Sequence, residues 1–167
     1  FDKKLGFLII DGVERIEIHL RSVIAHEIGR EDPLAYESSN FIHQPHKKWW
    51  SEWQDKHQKL LSNCKEDSIR WHENNNKAIP FWVVVEAWDF GVMSKYYKML
   101  KKNYQRKVAA RLGIDNTNTL VKWLEAINIL RNRCAHHTRI WNQYNQINTS
   151  AFPVLNNTYF NELHLDD

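Results

Sequence analysis

The sequence predicts an all-α fold, and three observations predict it. Apolar residues recur at spacings of three and four over two long stretches, residues 4–29 and 120–134, which is the period of an amphipathic helix and not the alternation of a strand. Five glycines and four prolines in 167 residues are few, as expected of helices rather than a turn-rich β protein. The β-branched run Val83, Val84 and Val85 suits a strand by propensity, but no nearby segment offers it a sheet partner. At this length a single domain spanning residues 1–167 with an ordinary hydrophobic core is expected.

The first helix is expected over residues 4–29. Leu5, Leu8, Val13, Ile16, Leu20, Val23 and Ile28 give it an apolar face, and Gly29 stands where a C-terminal cap belongs. Glu17 lies at the edge of that face and Glu27 within it. His19 and His26 share a face, but two histidines without further ligands read as packing residues rather than a metal site. Residues 31–45 form a connection interrupted by Pro33, Asn40 and Pro45. Residues 46–73 are polar, with a thin apolar stripe and Trp49, Trp50, Trp53 and Trp71. They predict an inserted helix or helix pair held partly by tryptophan contacts, with His43, His46, His57 and His72 at the surface. Pro80 opens the next helix, and residues 81–90, nearly all apolar, read as a buried helix broken by Gly91. Over residues 93–100 Tyr96, Tyr97 and Leu100 face inward while Lys95, Lys98, Lys101 and Lys102 face outward. Residues 104–112 continue similarly, capped by Gly113, and residues 115–118 form the N-cap region of the last helix. Beyond Asn142 the periodicity is lost. Residues 143–167 read as a C-terminal extension, in which residues 152–165 dock a short element or form a tail ordered by a partner.

The chemistry concentrates at the end of that last helix, in Arg131, Asn132, Arg133, Cys134, Ala135, His136 and His137. On a helical wheel Arg131 falls within about 20° of Leu120, between Leu124 and Ile127. An ionised guanidinium on an apolar stripe calls for a partner, because burying an unpaired charge costs several kcal/mol. Glu17 and Glu27 are the carboxylates expected to supply one. In the plainest reading such a pair is all there is, and the histidines finish a surface turn. In the functional reading Arg131 holds an anion and the imidazoles move protons near neutral pH. Arg131 and His136 stand about 140° apart on a regular helix. They converge only if the helix distorts or ends near Cys134, or if a second subunit completes the site.

Net charge is +3 but unevenly distributed. Residues 1–90 hold 12 Lys and Arg against 15 Asp and Glu, residues 91–142 hold 11 against 2, and residues 143–167 hold three acids and no Lys or Arg. A basic half containing the Arg–His stretch suits a polyanion such as an RNA backbone. A solvated lysine-rich helix face would give the same count. Eight tryptophans exceed what packing normally needs, so some rings are expected at a contact with a partner or another subunit. Cys64 and Cys134 alone make neither a disulfide framework nor a four-ligand zinc site, and read as free thiols in a reducing, cytoplasmic setting. No apolar run of about 18 residues predicts a membrane span, no signal-peptide pattern opens the chain, and no glycine-rich phosphate loop or other cofactor motif is present.

Arg-Asn-x-x-x-His, here Arg131, Asn132 and His136, resembles the motif of the HEPN superfamily of helical domains. Its longer context, residues 129–142 (ILRNRCAHHTRIWN), resembles the Abi-like family of bacterial phage-defence proteins, the abortive-infection AbiD and AbiF type. Two further blocks resemble the same family: residues 1–29, with Glu14, Arg15, Ile16 and Glu17, and residues 79–97 (IPFWVVVEAWDFGVMSKYY). The resemblance implies a HEPN-like helical bundle with the Trp-rich region inserted, and sequence preceding residue 1. It also implies a metal-independent RNase without a cofactor, paired as a homodimer so that two motifs share a cleft. It brings Glu17 close to the active site as a supporting residue. On this reading His136 is the acid/base, His137 a second one, Arg131 the phosphate holder and Asn132 the group that orients them. Arg133, Arg139, Lys95, Lys98, Lys102 and Arg106 take backbone phosphates. Two other readings remain: an RNA-binding module without turnover that works with a structured RNA or an antitoxin, and a purely structural helical scaffold.

Overall fold

The computed structural model describes residues 1–142, and within them the secondary structure is helical apart from one isolated backbone bridge, Ile42 to Leu100. Seven α-helices follow in order: α1 (Asp2–Gly29), α2 (Trp50–Asn63), α3 (Asp67–Asn74), α4 (Phe81–Val84), α5 (Phe90–Met99), α6 (Lys102–Arg111) and α7 (Thr117–Ala135). Between α1 and α2 the chain makes short 3₁₀ turns at Ala35–Glu37, Ser39–Phe41 and Gln44–Trp49. Residues 143–167, and with them the docked element or tail expected over 152–165, lie outside the described residues.

Helix α1 is the spine. It packs against α7, α4, α6 and α5, burying Val13, Leu20, Val23, Ile24 and Ile28 on the face its spacing predicts, whereas Leu8 and Ile16, expected on that face, are exposed. Gly29 closes α1 but does not cap it. The capping residue is Arg30, in right-handed helical conformation, and a Cβ at position 29 would stand 3.2 Å from Cβ of Phe81. The glycine serves the close approach of α4 rather than a left-handed turn.

The Trp-rich region is a helix pair, as its composition predicts, and it belongs to the core. Trp53 and Trp88 are each 1% exposed and meet edge to face at 5.2 Å. The Trp53 indole N–H donates to the carbonyl of Val92 at 3.0 Å, tying α2 to α5. The Trp88 indole N–H donates to Nδ1 of His57 at 2.9 Å. His57, expected at the surface, is fully buried, because its partner lies 31 residues further on, where local spacing gives no sign of it.

The apolar run 81–90 is helical but broken earlier than expected. Helix α4 tightens into a 3₁₀ turn at Val85–Ala87, and the backbone extends at Trp88 and Asp89. The Asp89 side chain then accepts from the Val92 amide at 2.7 Å and caps α5. Gly91 therefore sits in the first turn of α5 instead of ending the previous helix. Tyr96, Tyr97 and Leu100 are buried, as the pattern predicts. Gly113, at φ +72°, turns the chain after α6.

Candidate active site

Helix α7 presents the Arg–His stretch. Asn116 caps it by accepting from the amides of Asn118 and Thr119, and Leu120, Leu124 and Cys134 bury one side of it. The helix stays regular to Ala135 and ends in a two-bond Schellman arrangement. The His137 amide donates to the carbonyl of Cys134 at 3.2 Å, and the Thr138 amide to that of Arg133 at 3.0 Å. The residue in the left-handed position is His137, at φ 53°, where glycine is the usual occupant. The chain then folds back onto the start of α1: Ile140 Cδ1 lies 3.3 Å from where a Cβ of Gly6 would stand, and the Trp141 amide donates to Asp2 at 3.0 Å.

Arg131 is half-buried and divides two openings. On the α1 side is a groove of about 430 Å³ whose walls include Glu14, Glu17, Arg21 and Ala135. On the α5 side is a cavity of about 80 Å³ walled by Lys56, Asp89, Phe90, Gly91, Asn128 and Asn132. Arg131 Nη1 donates to Oδ1 of the neighbouring Asn132 at 3.5 Å, a long and exposed contact.

Glu17 anchors the α1 side. It accepts from Arg21 at 2.9 Å, and Arg21 in turn donates to the carbonyl of Trp88 at 3.2 Å and faces Glu86 at 3.6 Å. Burial pushes the Glu17 carboxyl above its ordinary range; the positive charges of Arg21 and, more weakly, Arg131 pull the other way. Glu27, the other carboxylate considered for Arg131, is engaged instead by Arg30 at 3.1 Å and His26 at 3.1 Å.

The histidines stand apart from these two openings. His136 is the C-cap of α7, exposed, and lines neither of them. His137 lines a separate groove of about 380 Å³ with Asp2, Lys3, Phe7 and Cys134, and burial pushes the Cys134 thiol up. Because α7 remains regular through Arg131 and Asn132, the angular separation read from the wheel persists to the helix end.

Comparison with known proteins places the chain. The model of the family described as "Abi-like protein" matches residues 1–142. The chain belongs to the Abi-like family. No curated protein and no solved structure matches it. All three blocks that carry the resemblance fall within the matched residues, and the C-terminal extension falls outside them.

In this Abi-like chain the three lysines expected to take phosphates are already paired. Lys95 pairs with Glu52 at 2.9 Å and Lys98 with Glu125 at 2.5 Å. Lys98 also lies 5.7 Å from the centre of the Trp49 ring. Lys102 donates to Asn118 at 2.8 Å and Thr117 at 3.3 Å. Arg106 and Arg139 are exposed, and Arg133 is half-buried. The count of positive charge in residues 91–142 thus overstates the bare charge on the surface. Sequence reasoning missed Arg21, Lys56, Asp89 and Asn128. Arg21 had a local signal, its spacing of four from Glu17, and so did Asn128, three residues before Arg131 on the same helix; Lys56 and Asp89 reach Arg131 through the tertiary fold. Among the described residues no three His, Cys, Asp or Glu side chains cluster as metal ligands, and no helix is long and apolar enough to cross a membrane.

Proposed function

We propose that this Abi-like chain is a metal-independent endoribonuclease of the HEPN type, acting in abortive-infection or toxin-type defence in the cytoplasm. The observation that carries the reading is Arg131: a half-buried guanidinium, balanced by the Glu17 side of its groove, in contact with Asn132, and opening onto a polar cavity. Few chemical tasks suit such a group better than holding a phosphate.

RNA carries its own nucleophile. A base takes the proton from the 2′-hydroxyl, the oxygen attacks the adjacent phosphorus in line, and the bond to the 5′-oxygen breaks as an acid supplies that oxygen with a proton. The products are a 2′,3′-cyclic phosphate and a free 5′-hydroxyl. Arg131 contributes two parallel N–H donors to the equatorial oxygens as charge grows on them. His136 is the acid/base and His137 the second one. Since His136 lies outside both Arg131 openings of its own chain, the reading calls for a homodimer in which two Arg–Asn and histidine sets face one cleft.

The experiment is cleavage of a mixed RNA pool in EDTA by the parent, Arg131→Ala and His136→Ala. The reading expects cleavage by the parent, a loss of at least about 100-fold in either variant, and partial recovery when the two inactive variants are mixed. Loss of parental activity to the chelator would sink the mechanism. The exposed position of His136 supports one competing reading, an RNA-binding module without turnover that works with a structured RNA or an antitoxin. In that case His136→Ala binds RNA as the parent does and neither cleaves it.

A further inference from the structure

The small cavity on the α5 side of Arg131 joins two residues of the sequence motif, Arg131 and Asn132, to residues outside it. Its walls come from three helices. Lys56 is on α2, Asp89 caps α5, Phe90 and Gly91 form the first turn of α5, and Asn128, Arg131 and Asn132 are on α7. Apart from the Phe90 ring, every side chain on that wall is polar or charged. Two cations from different helices therefore face one space of about 80 Å³, with two amides between them.

Gly91 keeps that space open. A Cβ there would stand 3.2 Å from Oδ1 of Asp89 and 3.5 Å from Oδ1 of Asn128, filling the gap between them. Asp89 is the one acid on the wall. One of its oxygens is taken by the Val92 amide at 2.7 Å, and the other faces Lys56 Nζ at 3.6 Å. The positive end of the α5 dipole also meets the cavity here, which favours an anion. The opposite side of Arg131 does not, since Glu14 and Glu17 line it.

We infer that this cavity is a phosphate subsite: Lys56, Asn128 and the first turn of α5 hold a phosphate group against Arg131 and Asn132. The inference rests on the RNA reading for which phosphate is meant, a backbone phosphate of the bound strand. It assigns Lys56, in the Trp-rich region, as a second cationic ligand beside Arg131. It also fixes the side of Arg131 from which the strand approaches. A phosphodiester and a free phosphate share the chemistry that would recognise them here, and binding measurements separate the two.

The test uses the full chain and a short 2′-O-methyl RNA, which binds but cannot be cleaved, with inorganic phosphate in a parallel titration. Amide shifts are followed by NMR at Gly91 and at the Asn128 side chain. Shifts at both positions with RNA support the subsite, and a higher affinity for inorganic phosphate than for RNA overturns its assignment to a strand. Lys56→Gln is expected to weaken RNA binding about ten-fold and to lower its salt dependence by about one phosphate contact. Gly91→Ala should weaken it in the same direction, and Lys59→Gln, an exposed lysine one turn along α2, should leave it unchanged. RNA binding by Lys56→Gln equal to the parent, or no shift at Gly91 and Asn128 with either probe, overturns the inference. Binding that depends on Lys56 in a protein that never cleaves RNA would remove the nuclease reading and leave the subsite standing. Cleavage of ordinary RNA that Lys56→Gln does not alter would do the reverse.

Discussion

Two regions of this molecule use polar side chains in opposite ways. Around Trp53 and Trp88 the polar atoms turn inward and find partners within the chain: indole to carbonyl, indole to imidazole, and the Tyr36 hydroxyl to the carbonyl of Ile79 at 2.7 Å. Around Arg131 the polar atoms turn toward open space, and the contact Arg131 itself makes, to Asn132, is exposed and long. The first region fixes α2, α4 and α5 relative to one another. The second is what those fixed helices leave unfilled at their junction with α7. The difference teaches that the Trp-rich region is not an ornament on the bundle. It is core on one face and, through Lys56, a wall of the candidate site on another.

The largest expected effect breaks the inward region. Trp53→Ala removes a fully buried indole and its bond to α5, at a cost of about 3–5 kcal/mol, a large part of the stability of a domain this size. Denaturant unfolding should show it, and RNA binding should fall with it, since α2 and α5 carry the cavity wall. If binding survives at full strength, the two regions are independent and the comparison fails. Next comes Arg131→Lys, which keeps the charge and loses the fork of donors. The expectation is a thermal midpoint within a few degrees of the parent and cleavage reduced by about 100-fold or more. Unfolding and cleavage that fall together would instead make Arg131 a structural ion-pair residue.

Acid sharpens the contrast further. Burial pushes the His57 imidazole down from 6.5 to about 4, and its Nδ1 serves as acceptor for Trp88. The unfolded chain therefore binds a proton that the folded chain refuses. Stability from this residue is full above about pH 6.5 and is lost as pH falls toward 4, at about 1.4 kcal/mol per unit within that window and about 3 kcal/mol in all. His57→Gln keeps an acceptor for the indole and cannot titrate. Urea unfolding at pH 7 and pH 4.5 should show a fall in the parent that exceeds the fall in the variant. Equal falls would place the acid sensitivity elsewhere.

The same contrast sets what the sequence could tell. Helices α1, α6 and α7 were legible because each carries its own period, and α6 and α7 their own caps in Gly113 and Asn116; the cap expected of Gly29 in α1 was not. The place of Glu17 along the Arg131 groove was also legible, because it lies on the predicted edge of α1, but its ion pair is with Arg21 and not Arg131. The break at Trp88 and Asp89 was misplaced by two residues, since Gly91 is a conspicuous breaker while an aspartate cap shows only in the bond it makes to Val92. His57 was misjudged because a lone histidine on a polar helix gives no hint of an indole donor 31 residues away. Lysines counted as bare charge turned out to be paired with Glu52 and Glu125, whose positions opposite them come from packing. Lys56 reaches the cavity for the same reason, whereas Asn128 stands one turn before Arg131 on α7, a neighbour that helical spacing alone gives.

The smallest effect lies at the end of α7, where fold and chemistry meet in one residue. His137 occupies the left-handed position of the Schellman turn, a conformation that costs a residue with a Cβ about 1 kcal/mol relative to glycine. Its imidazole is also the second acid/base of the proposed reaction. His137→Gly should therefore raise the unfolding free energy by roughly 0.5–1 kcal/mol, a shift of a few degrees in thermal midpoint, while cleavage falls. His137→Asn retains a residue tolerant of that conformation without an imidazole, and should match the parent in stability and the glycine variant in activity. A glycine variant that is more stable and equally active would make His137 only the turn that aims His136. One that is less stable would mean that its contacts with the start of α1, in the groove lined by Asp2, Lys3 and Phe7, outweigh the backbone strain.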